Sequence, residues 1–122
     1  MSTDRSRLFP TPTALDLGRL SLVTGDDPEI ARNLVTLLLD DTRRRMAEME
    51  VDLQLGDTDA VASQAHAIAG ACINVGANLM ADAARQFAAT RDVGGLRRRM
   101  VELGGALGAT ERFARAHQLW SL

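Results

Sequence analysis

The chain has 122 residues, with 14 basic and 16 acidic side chains and a formal net charge of −2. Its basic residues are all arginines, which excludes chemistry that needs a lysine, and the acidic excess argues against a dedicated nucleic-acid binder. The length suits one domain, and a single cysteine excludes an intramolecular disulfide.

Alanine and leucine dominate the apolar residues, and this composition favours an all-α fold. Residues 1–13, with Pro10 and Pro12, are predicted to form a flexible N-terminal arm, and residues 14–122 a single helical domain. No run is apolar enough for a signal peptide or a membrane span. We therefore expect a cytoplasmic protein that does not associate with a membrane.

Two helices are predicted in the first half of the chain. Residues 15–24 form a short one with Leu17 and Leu20 as anchors, and the Asp-Asp-Pro-Glu run at 26–29 is a start signal for a long helix that continues to Gln54. The long helix carries these apolar positions at helical spacing: Ile30, Leu34, Leu37, Leu38, Met46, Met49 and Leu53.

Three more helices are predicted in the second half. The third, which begins after Asp57, has a buried stripe within an arc of roughly 80°, formed by Val61, Ala65, Ile68, Cys72 and Val75. The fourth covers residues 80–90, and Gly94 and Gly95 separate it from the last. Four long helices with short connections predict a monomeric antiparallel four-helix bundle with a short additional N-terminal helix.

His66 is the candidate functional residue. It lies about 140° from the centre of the apolar arc on its helix, so the side chain is expected to point into solvent. Its neighbours on that face are Ala62, Ala69, Gly70 and Ile73. Because a glycine inside a helix costs about 1 kcal/mol relative to alanine, Gly70 suggests that another molecule must approach closely there.

Residues 65–77 read AHAIAGACINVGA. This run is similar to the signature of histidine-containing phosphotransfer (HPt) domains, in which an alanine and a histidine precede a glycine four residues on and an aliphatic-glycine-alanine group ten residues on. The resemblance extends over residues 15–119.

The resemblance implies a phosphorelay carrier rather than an enzyme, with His66 as the phosphoacceptor. Its partners would be response-regulator receiver domains and a hybrid histidine kinase. The receiver would bring Mg²⁺, and this chain would bind no cofactor. The alternative is a helical adaptor that docks on a receiver or a kinase and regulates it without being phosphorylated.

The chain departs from the family pattern at two positions. Ala69 stands where the family usually has a lysine, and Ala88 where it often has a polar residue that orients the imidazole. The predicted hairpin places Arg85 and Gln86 level with His66. We therefore expect these two side chains to hydrogen-bond His66 or to offset the phosphate charge.

The remaining predictions concern surfaces and packing. A receiver is expected to dock on Leu17, Leu20, Ala62, Ala69 and Ile73. His117 is interpreted as a packing or surface residue and Cys72 as a packed thiol. The arginine triplets 43–45 and 97–99 are interpreted as solvated helix faces, with a basic patch for an acidic partner as the alternative. No spacing of histidines and acids indicates a metal site.

Overall fold

The fold is known from a computed structural model that describes residues 12–120. It contains five helices: α1 (Leu17–Thr24), α2 (Pro28–Gln54), α3 (Thr58–Val75), α4 (Asn78–Ala88) and α5 (Val93–Ala116). There is no strand in the described part of the chain, and the all-α prediction is confirmed.

The four longer helices form a closed ring. Along it α2 packs on α3, α3 on α4, α4 on α5 and α5 back on α2, while α1 lies against α2 and α3. This arrangement is the predicted four-helix bundle with a short additional N-terminal helix. No helix between residues 12 and 120 is long and apolar enough to span a membrane.

Aspartate side chains begin four of the five helices. In each case the carboxylate accepts a backbone N–H from the first helical turn, and the capping residues are Asp16, Asp27, Asp57 and Asp92. Such caps contribute about 1 kcal/mol each. The start predicted for the long helix is confirmed, because Asp27 caps it and Pro28 is its first residue.

The core confirms the predicted stripe of α3 and corrects that of α2. All five stripe residues of α3 are buried, and Ala69 is buried with them. On α2, however, Ile30 and Leu37 are 50% and 67% exposed. Leu38, Met49 and Leu53 are buried as predicted, and the rest of the inward face is formed by Ala31, Val35, Leu39 and Thr42.

The glycine pair at 94 and 95 was wrongly predicted to precede the last helix, since both residues lie in the first turn of α5. Packing explains this. The Asp92 carboxylate accepts from the Gly95 N–H at 2.7 Å, and a Cβ at Gly95 would lie 2.7 Å from side-chain atoms of Asp92 and Thr90. The capped turn leaves room only for glycine.

α1 is attached to the end of α3. The Asp16 N–H donates to the Gly76 carbonyl at 2.8 Å, and Arg19 Nε donates to the Asn74 carbonyl at 3.2 Å. Thr13, at the end of the predicted arm, accepts from the Leu79 N–H at 2.9 Å. Residues 1–11 of the arm lie outside the described residues.

Candidate functional site

His66 lies in the middle of α3 with its side chain exposed, as the helical wheel predicts. The neighbouring Ala65 and Ile68 are buried, so the imidazole is carried on the outer side of a helix whose inner side is fixed in the core. Among residues 12–120, no side chain or backbone group hydrogen-bonds to the ring. Both ring nitrogens therefore remain open to a partner.

Gly70, one turn after His66, leaves open space beside the imidazole. A Cβ built at this position would have no heavy atom of residues 12–120 within 4 Å, so packing within that part of the chain does not require glycine. Because glycine has no side chain, nothing projects from α3 beside His66 at this point. This observation fits the prediction that another molecule approaches at this point.

Two residues predicted to dock a partner are buried. Leu20 is 3% exposed and belongs to the core beneath α1, and Ala69 is 4% exposed at the inner edge of α3. Neither side chain offers surface to a partner, so the prediction that these two residues contact a receiver is wrong. Leu20 is instead the anchor predicted for the short helix. Leu17 and Ile73 remain exposed and Ala62 is half-buried.

Arg85 and Gln86 face different sides of α4. The Gln86 side chain accepts from Arg99 of α5 at 2.9 Å and donates to Asp82 at 2.9 Å, so it is bound in the groove between α4 and α5. The hydrogen bond from Gln86 to His66 is not formed. Because successive helical residues point about 100° apart, Arg85 lies on the side away from α5, where α4 borders α3. It is exposed, and its guanidinium is 3.6 Å from Asp82.

An exposed apolar groove between α2 and α3 was missed by the sequence analysis. Its volume is about 270 Å³, and it is lined by Leu34, Leu37, Leu38, Asp41, Ala71 and Val75. The signal was present in the sequence. Ile30, Leu34 and Leu37 repeat at their own helical spacing, but this stripe is rotated roughly 120° from the one formed by Met46, Met49 and Leu53. One helix therefore carries two apolar faces.

His117 and Cys72 both make packing contacts within the protein. His117 Nδ1 lies 2.9 Å from the Phe113 carbonyl, and its ring stacks on that of Phe113 with centroids 4.1 Å apart. Burial raises the pKa of the Cys72 thiol to about 12, although a hydrogen bond with Thr42 acts in the opposite direction. Over the described range, no three potential ligands cluster as a metal site.

Comparison with known proteins gives one finding about this site. The family model described as "Hpt domain" matches residues 33–103, which is more than half of the chain and includes α3 and α4 entirely. Neither the curated proteins nor the solved structures gave a match. The matched segment contains His66, Gly70 and every residue that lines the groove between α2 and α3. The chain belongs to the Hpt domain family, whose members are phosphocarriers in two-component signalling.

Proposed function

We propose that this protein is a histidine phosphotransfer protein that accepts and donates a phosphoryl group on His66. The group would come from, and return to, aspartates of response-regulator receiver domains, with a hybrid histidine kinase upstream. The observation that carries the proposal is an exposed, unbonded imidazole beside the open surface at Gly70. The carrier would act as a monomer in the cytoplasm.

The transfer step needs a nucleophile and a close approach. The lone pair on one imidazole nitrogen attacks the phosphorus of the aspartyl phosphate, and the P–O bond to the aspartate breaks with its electrons left on the carboxylate. The other ring nitrogen keeps its proton during the attack and releases it to solvent afterwards. Because phosphoryl transfer depends mainly on positioning and charge neutralisation, Mg²⁺ on the receiver would supply most of the positive charge.

The receiver would dock on a face that runs from α1 across α2 to α3. We call this the docking face and define it by Leu17, Ile30, Leu37 and Ile73, which are between 40% and 67% exposed. Four large apolar side chains on the exposed side of neighbouring helices favour a partner surface. An apolar centre of modest size suits a transient complex.

The test is phosphotransfer from a receiver labelled on its aspartate. The wild-type protein should acquire a label that is lost in acid and stable in alkali, as expected for a phosphoramidate. His66→Gln should acquire none, while His117→Gln, in which the other histidine is removed, should be labelled normally. If the wild-type protein binds the receiver but no label appears, the chain is an adaptor. Ala69 stands where the family usually has a lysine, and this departure favours the adaptor as the second candidate function.

Leu37→Arg should slow phosphotransfer at limiting receiver concentration by about tenfold, since a charge at the centre of an apolar contact costs on the order of 1 to 2 kcal/mol. The rate at saturating receiver should change little, because the defect lies in docking. Val101→Arg on α5 is the matched control, since Val101 is 76% exposed but lies outside the docking face. Equal effects of the two substitutions would contradict the docking face.

Arg85 is proposed to supply part of the positive charge that the missing lysine would give. Arg85→Ala should slow transfer by roughly tenfold or less, as one exposed charge contributes on the order of 1 kcal/mol, and Arg85→Lys should retain most of the rate. Gln86→Ala should have no effect on transfer, because Gln86 contacts Arg99 and Asp82. Rates of Arg85→Ala that match the wild type, alone and combined with Gln86→Ala, would refute this role.

A further inference from the structure

The glutamates and the unpaired arginines of α5 lie on different sides of the helix. Its two glutamates lie toward neighbouring helices, since Glu102 lines a groove with residues of α4 and Glu111 pairs with Arg43 of α2. Glu102 is also paired with Arg99 of its own helix. Four arginines of the same helix have no carboxylate partner among residues 12–120: Arg97, Arg98, Arg112 and Arg115. The first arginine triplet differs, because Arg43, Arg44 and Arg45 are all paired with acids.

The four unpaired arginines form one continuous face, which we call the α5 face. At about 100° per residue their side chains fall within an arc of roughly 100°, and at about 1.5 Å per residue the first and last are roughly 27 Å apart. Between them lie Val101, which is exposed, and Gly105, where a Cβ would meet nothing within 4 Å. The centre of the α5 face therefore carries only small side chains, and guanidinium groups lie at both of its ends.

The α5 face ends at a cavity without acidic residues. The cavity has a volume of about 460 Å³ and is lined by Arg32, Asn33, Thr36, Arg115, Gln118, Leu119 and Trp120. The guanidinium carbons of Arg43 and Arg115 lie 5.8 Å and 5.1 Å from the Trp120 ring centroid. Stacking of this kind holds Arg115 at the mouth of the cavity while leaving its N–H groups available.

The α5 face lies on the opposite side of the bundle from His66. Within the described chain the backbones of α3 and α5 do not approach each other as those of neighbouring helices do, so the two helices occupy diagonal corners of the ring. His66 points outward from one corner and the arginines point outward from the other. A partner on the α5 face would therefore leave the imidazole accessible.

We propose that the α5 face binds an acidic segment of a partner protein, independently of phosphotransfer. Arginine forms paired hydrogen bonds with carboxylates, and an extended segment of about eight residues spans roughly 27 Å. A nucleic acid is the poorer fit, because the α5 face presents no exposed aromatic residue for stacking and the chain as a whole is acidic. The attraction is electrostatic and therefore depends on salt.

The experiment measures binding of a fluorescent decaglutamate peptide to the full chain at low and at physiological salt. The wild-type protein should bind, more weakly as salt rises, and Arg98→Gln/Arg112→Gln should weaken binding at least fivefold. Arg44→Gln/Arg91→Gln removes the same charge elsewhere and should change binding less than twofold. His66→Gln should bind the peptide normally, which separates this proposal from the proposed function.

Three results would overturn the proposal. The first is no binding of the peptide by the wild-type protein. The second is an equal loss in the two double variants, which would indicate attraction by net charge alone. The third is tighter binding of duplex DNA, or of vesicles rich in phosphatidylserine, than of the peptide, since the α5 face would then serve a different class of partner.

Discussion

Gly76→Ala is expected to destabilise the protein by about 2 to 3 kcal/mol, because two costs add at this position. Gly76 has a φ of 89°, a conformation that residues with a Cβ rarely adopt. A Cβ there would also lie 3.0 Å from Cβ of Arg19 and 3.2 Å from Cβ of Asp16. Since both atoms are fixed to the backbone of the α1 segment, that segment must move away from α3.

Gly70→Ala, six residues earlier, should have the opposite sign. Gly70 is inside α3 and a Cβ there meets nothing, so alanine should stabilise the fold by about 0.5 to 1 kcal/mol. Urea unfolding of both variants measures the two shifts. Destabilisation by both substitutions would contradict the helical environment of Gly70. A lower rate of phosphotransfer in the stabilised Gly70→Ala variant would show that this glycine serves the partner.

Alkaline pH should weaken the fold through one side chain. Burial raises the pKa of the Cys72 thiol to about 12, against an ordinary value of 9.0. Above about pH 9 the unfolded chain releases this proton while the folded protein retains it, so ionisation favours unfolding. The free energy of unfolding should fall with a limiting slope of about 1.4 kcal/mol per pH unit until the pH approaches 12.

The composition makes this titration unusually clear. The chain has no tyrosine and no lysine, and arginine stays protonated throughout this range. Urea unfolding between pH 8 and pH 11 measures the slope, and Cys72→Ala should make it nearly flat despite a lower stability at every pH. A slope that survives in Cys72→Ala would assign the effect to another group.

The sequence predicted α3 and its histidine well because one face of this helix is consistently apolar and the other is not. Val61, Ala65, Ile68, Cys72 and Val75 are all buried, and His66 is exposed on the side that the wheel indicates. Helical periodicity alone was enough at this site. The chemical role proposed for this histidine rests on the family signature, because periodicity carries no information about chemistry.

The prediction of buried positions was wrong for apolar residues that lie on the surface of the protein. Ile30 and Leu37 are apolar and have the helical spacing of core residues. Only the packing of α2 shows that they face outward. Leu20 was predicted both as an anchor and as a docking residue, and only the first is right, because α1 packs on the bundle and buries it. Which side of a helix meets its neighbours depends on rotations set by the whole bundle, and these are not encoded in the spacing of a single segment.

The ring order of the helices has a consequence for how the chain folds. Contacts from α2 to α3, α3 to α4 and α4 to α5 join neighbours in sequence and form at a small cost in chain entropy. The contact between α5 and α2 is different, because it brings Glu111 to Arg43 across 68 positions. Closure of the bundle therefore waits for its last helix, and we expect this late pairing to set the folding rate while the segment that carries His66 organises first.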